Sequence, residues 1–121
     1  MAHVNNARYL EFMQDARVSL IHEMGLDKSS LKHFGHYVAR NEIDYVRPID
    51  MNDHIVHVDL WVSRFGGASY DVRYEIFDEH GNLAARAKSV MVMVDVESQQ
   101  VMRVPEDVRA AMAGFHEPDG D

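Results

Sequence analysis

The residues best suited to chemistry stand at the head of the 121-residue chain, where His3, Asn5 and Asn6 come directly before a stretch of helical periodicity. A helix N-terminus leaves its first backbone N–H groups without intrahelical partners and carries the positive end of the helix dipole. An oxyanion developing on a carbonyl is therefore stabilised there. One of Asn5 and Asn6 serves as the N-cap, and the other can aim its side-chain amide at a reacting oxygen or a bound water, Asn5 being the favoured candidate. His3 can orient that water or hold the entering loop. Glu11 and Asp15 lie one and two turns into the helix, too far from its terminal amides to share one reacting carbonyl, and read as surface charges. The eight histidines are scattered. His54 and His57 have a ligand-like spacing, but residues three apart on a strand face opposite ways, so no metal is assigned.

The element that positions these groups is a helix predicted over 6–24. Tyr9, Leu10, Met13, Ala16, Leu20, Ile21 and Met24 recur at steps of three and four with Arg17 as the one interruption, which makes them the expected buried stripe. Gly25 supplies the left-handed stop, followed by the apolar Leu26. The period then changes to two. Tyr37, Ala39, Ile43 and Tyr45 alternate with polar residues in a strand closed by Pro48, and Val56 to Val62 form a second. Gly66 and Gly67 break the pattern before Tyr70 to Ile76 return as the other arm of a hairpin. Leu83 to Val96, apolar on both faces from Ser89, reads as the longest and most central strand. Pro105 opens a short helix carrying Val108, Met112 and Phe115.

The composition, 46% hydrophobic and 26% charged, suits one soluble α+β domain over 1–115, with an unanchored tail over 116–121. The zero cysteines exclude disulfides and thiolate nucleophiles. The formal net charge of −8 argues against nucleic acid and anionic membranes as partners, although a few local cations suffice for a phosphate-bearing ligand. No apolar run reaches a membrane span and residues 1–8 lack signal-peptide character, so a cytoplasmic location is expected.

His3-Val4-Asn5-Asn6, then Tyr9-Leu10-Glu11-Phe12 and Asp15-Ala16-Arg17, resembles the start of the long helix in hotdog-fold thioesterases of the 4-hydroxybenzoyl-CoA thioesterase-like family. Glu42 to Pro48 is similar to that family's first strand after the helix, and the glycine hairpin leading into Tyr70 to Phe77 is a third match. The resemblance implies a hotdog fold, an antiparallel sheet wrapped around a long helix. It also implies a homodimer or dimer of dimers with interfacial sites, and hydrolysis of thioesters of coenzyme A or acyl carrier protein. Coenzyme A would enter only as part of the substrate, and no further cofactor is implied. The family pattern carries a catalytic Asp four positions before His3, which falls ahead of Met1 together with a preceding strand, so the 121 residues by themselves are expected to turn over slowly, and a non-catalytic acyl-CoA-binding subunit is the alternative. On this resemblance, His3, Asn5 and Asn6 are the catalytic candidates. Tyr9, Arg47, Arg64, Gly67, Ser69, Arg86 and Lys88 are the substrate-binding ones, the cations for phosphates and the turn residues for the pantetheine chain.

Overall fold

A computed structural model describes residues 6–25, 34–53 and 55–119. Helix α1 spans Asn6–Glu23, followed by strands β1 (Phe34–Tyr45), β2 (His57–Phe65), β3 (Ser69–Phe77), β4 (Leu83–Asp95) and β5 (Val101–Met102), and helix α2 (Glu106–Ala113). The sheet is antiparallel in the order β1-β4-β3-β2, with the short β5 added to β4. The long strand rich in apolar residues is central, as its two-faced composition requires. Gly25 takes a φ of 73° just past α1, the conformation that ends a helix at little cost only for glycine.

The period-two alternation sorts the sheet into two faces. Tyr70, Val72, Tyr74 and Ile76 of β3 lie in register with Met91, Ser89, Ala87 and Ala85 of β4, and this face packs on α1. Tyr9 and Met13 complete the core from the helix, with Ile49, Val104, Val108 and Met112 closing it from the connecting segments and α2. The opposite face carries Arg73, Glu75, Arg86 and Lys88. Among the described residues, no helix is long and apolar enough to cross a membrane.

Four details differ from the sequence expectation. Leu10, placed in the buried stripe, is 45% exposed, and Ile21 is only half-buried, because α1 meets the sheet along a narrower arc than the stripe suggested. Arg17 stays inward because polar groups receive it. Strand β5 is two residues long and has no periodicity to betray it. The stretch after α2 is not a free tail through Asp119: the Val62 amide donates to the Phe115 carbonyl, the Glu117 amide donates to the Val62 carbonyl, and Asp119 pairs with Arg73. Residues 120 and 121 lie outside the described residues.

Candidate active site at the start of helix α1

Tyr9 fixes the start of α1. It is 2% exposed, and its ring stands edge-on to Tyr45 at 5.1 Å and to Phe12 at 5.8 Å, so the first helical turn is clamped against the end of β1. Burial raises the pKa of its hydroxyl, with the Ile49 backbone pulling the other way, and the group stays a neutral phenol. Its place is that of an anchor beside the helix terminus. Asn6 is the first residue of α1 and is exposed, free to meet a ligand. His3 and Asn5 lie outside the described residues.

None of the three acids of α1 stands in its first turn. Glu11 forms an ion pair with Arg8, whose guanidinium covers the Phe12 ring at 5.1 Å. Asp15 is exposed and lines a groove of about 400 Å³ between α1 and β2, with Phe12, Leu20, Val58 and Leu60.

Farther along α1, a polar strip crosses the core. Arg17 Nη1 donates to the Tyr74 hydroxyl at 2.9 Å, Tyr74 donates to Ser89 Oγ at 2.8 Å, and Ser89 Oγ donates to Asn41 Oδ1 at 2.6 Å. These bonds explain how Arg17 interrupts an otherwise apolar stripe: its charge is met by hydroxyls, which α1, β3, β4 and β1 hold in place jointly. Burial is the largest influence on Tyr74 and raises its pKa, against the hydrogen bonds with Ser89 and Arg17. Tyr70, next but one along the same face of β3, is shifted upward by burial as well and stays protonated.

The structure separates the sequence-predicted cations. Arg64 is held by Asp71 through two bonds of 2.9 Å and also donates to Ser69 Oγ at 3.0 Å, so Arg64 and Ser69 are committed to bracing the β2–β3 turn. The Asp71 hydrogen bond is the main reason the Arg64 pKa is raised. At Gly66 a Cβ would stand 2.8 Å from Arg64 Nη1, so a larger residue there would displace the Arg64 side chain. A Cβ at Gly67 would meet only Arg103, at 3.8 Å. Arg86 and Lys88 do share one strand face, but it is the face away from α1, where they lie 4.0 Å from Glu75 and 3.7 Å from Glu42. They are not brought to the helix start, and on the central strand they are not edge residues. Arg47 just follows β1, its amide donating to the Ala84 carbonyl at 3.1 Å, and its exposed side chain has no carboxylate partner among the described residues.

Sequence reasoning missed Arg103 and Arg109, which flank the β2–β3 turn. They fall after β4 in a segment whose signals are Pro105 and a short apolar helical stripe, and nothing local connects them to residues 66 and 67. It also missed Asp53, Glu79 and His80, whose potential ligand atoms come within 4.8 Å of one another; Glu79 and His80 are exposed, as acidic groups commonly are without any ion.

The comparisons with known proteins agree with this architecture. A family model described as the thioesterase-like superfamily matches residues 1–112. The long-chain acyl-CoA thioesterase FadM of Escherichia coli (strain K12) is 28% identical over 109 residues, which cover 88% of this chain and 82% of FadM. The Bacillus subtilis (strain 168) protein YneP is 29% identical over 118 residues, covering 96% of this chain and 82% of YneP. A solved thioesterase from Thermus thermophilus, complexed with coenzyme A and Zn, is 31% identical with a TM-score of 0.78 over 94% of this chain and 82% of that one. With its antiparallel sheet packed on α1 in the hotdog arrangement, the chain belongs to the thioesterase-like superfamily.

Proposed function

We propose that the protein is an acyl-CoA thioesterase that hydrolyses its substrate to a free acid and coenzyme A. The observation that carries this reading is the likeness, over 94% of the chain, to a thioesterase solved with coenzyme A. The local geometry supports it. The first turn of α1 offers backbone N–H groups to a thioester carbonyl, and Tyr9 holds that turn rigidly against β1. Attack by water places negative charge on the carbonyl oxygen, where fixed N–H donors and the helix dipole stabilise it without reorganising. Collapse of the tetrahedral intermediate breaks the C–S bond and releases the thiolate, a far better leaving group than an alkoxide, and the proton given up by the attacking water passes to the thiolate or to solvent. Glu11 and Asp15 are not in place to activate the water, and His3 and Asn5 remain the candidates to orient it.

The proposal includes a homodimer formed through β1. This strand pairs with β4 on one edge, and no described residue pairs with its other edge. Tyr37 and Tyr45, both 48% exposed, and Val46, 50% exposed, lie on it or just beyond. A twelve-residue edge with exposed apolar side chains is a template for strand pairing, and a second copy satisfies it with closed two-fold symmetry. Such a dimer sets the start of α1 beside the seam.

The test is release of free thiol from a panel of acyl-CoAs of different chain lengths. Release above the spontaneous rate for at least one member is expected; no release from any of them by folded protein contradicts the proposal.

A further inference from the structure

Helix α1 lies on the sheet with two unlike flanks. Phe12, Ala16, Leu20 and Glu23 turn toward β2, where they line the groove of about 400 Å³ with Val58 and Leu60. Steps of four and three from Leu10 put Gln14, Arg17 and Ile21 on the other flank, toward β1. The surface they meet there is the core side of β1, where Tyr45 is level with Ala85, Ile43 with Ala87 and Asn41 with Ser89, the three β4 residues being buried. Leu10 is 45% and Tyr45 48% exposed, and Ile43 is half-buried. This flank is therefore apolar and open beside the helix start. It changes character at the middle of β1. Arg17 is half-buried and has no carboxylate within salt-bridge distance among the described residues; its Nη1 donates to the Tyr74 hydroxyl at 2.9 Å and to Ser89 Oγ at 3.4 Å. Ser89 Oγ donates in turn to Asn41 Oδ1 at 2.6 Å, which fixes the Asn41 side chain and leaves its Nδ2 without an acceptor among the described residues. A cation without a counter-charge and an amide with unused donors thus stand across the flank at one level.

We infer that the acyl chain of the substrate runs along this flank from the α1 start, past Leu10, Tyr45 and Ile43, and that Asn41 and Arg17 close its inner end and so set the longest chain accepted. This inference rests on the acyl-CoA thioesterase reading and its β1 dimer, whose second copy covers the open flank and turns it into a channel. The flank toward β2 is a poorer continuation, because the way into its groove passes Arg8, whose guanidinium lies over the Phe12 ring at 5.1 Å. That groove also carries Asp15 and Glu23 on its rim.

The geometry gives the length. From Tyr45 to Asn41 the strand advances about 14 Å at ~3.4 Å per residue, and from Asn6 to Arg17 the helix advances about 16 Å at ~1.5 Å per residue. An extended acyl chain advances ~1.25 Å per carbon for a tetrahedral zigzag of ~1.5 Å bonds. About eleven to thirteen carbons, counted from the carbonyl, therefore reach the polar level. Up to that point each buried methylene strengthens binding by up to about fourfold. Beyond it, a methylene laid over Asn41 takes water from an amide that finds no acceptor in exchange, a loss of about tenfold, and the unneutralised Arg17 adds to it. The loss exceeds the gain, so the chain stops there.

The experiment measures calorimetric binding of non-hydrolysable 2-oxoalkyl thioethers of coenzyme A, with eight-, twelve- and sixteen-carbon chains, to the full chain and to the Asn41→Leu and Arg17→Met variants. Thiol release from the matching acyl-CoAs is followed alongside. The unaltered protein is expected to bind the twelve-carbon ligand tightest and the sixteen-carbon one at least about tenfold more weakly. Asn41→Leu keeps a γ-branched shape of slightly larger size and replaces the amide by apolar surface. It is expected to bring the sixteen-carbon affinity within about threefold of the twelve-carbon one, whereas a merely structural role would weaken all three ligands together. Arg17→Met is expected to act in the same direction. Because Asn41 is exposed on the edge strand, its variant folds even where Arg17→Met does not. Sixteen-carbon binding as tight as twelve-carbon binding in the unaltered protein overturns the proposal, as does an unchanged ratio in Asn41→Leu or an absence of binding by all three ligands. Failure to release thiol from any acyl-CoA counts against the thioesterase reading instead, while the ratio of affinities still decides on the polar stop.

Discussion

His36 shows how a single residue ties the edge strand to the interior. Its Nδ1 lies 2.8 Å from the Tyr70 hydroxyl, and its Nε2 is buried without a hydrogen-bond partner. Burial depresses its pKa below the ordinary 6.5. The unfolded chain therefore takes up the proton first, and stability present above about 6.5 is lost as pH falls from there toward the folded-state value. The slope from this one group is at most ~1.4 kcal/mol per pH unit. Urea unfolding followed across that window should show the loss, and His36→Gln should flatten it. An equal slope in both proteins would assign the effect to other groups. Nothing in the sequence marked this histidine, because neighbours on β1 do not reveal that Tyr70 stands across the sheet.

At the scale of elements, periodicity located α1 and the four long strands because each buries one face and so repeats at 3.6 or 2 residues. What it could not supply was the width of the contact. Leu10 and Leu20 belong to the same stripe, yet Leu10 is 45% exposed and Leu20 is 5% exposed. Leu20→Ala should accordingly cost ~2–5 kcal/mol, while Leu10→Ala on the free arc should stay within about 0.5 kcal/mol in the isolated subunit. Thermal or denaturant unfolding of the two variants checks this, and equal losses would mean that the helix is rotated from the position described. The candidate site was legible to a similar degree. Asn6, Tyr9 and the turn at Gly66 and Gly67 follow from local patterns. The commitments of Arg64 to Asp71 and of Arg86 and Lys88 to carboxylates on neighbouring strands depend on register, and only the folded sheet discloses them. Arg103 and Arg109 reach the same turn only because β5 and α2 fold back upon it.

For the whole molecule, two statements belong together: that the reaction is thioester hydrolysis, and the proposal that the reacting place is completed by a second copy across β1. The exposed apolar edge of β1 favours this assembly. The two statements can be tested together by following thiol release from an acyl-CoA while the protein is diluted through the range in which the dimer dissociates, with mass measured by light scattering in the same samples. Thiol release per chain is expected to fall in step with the dimer fraction. Hydrolysis that stays constant per chain in a monomer, or a stable dimer that releases no thiol from any acyl-CoA, would contradict the account.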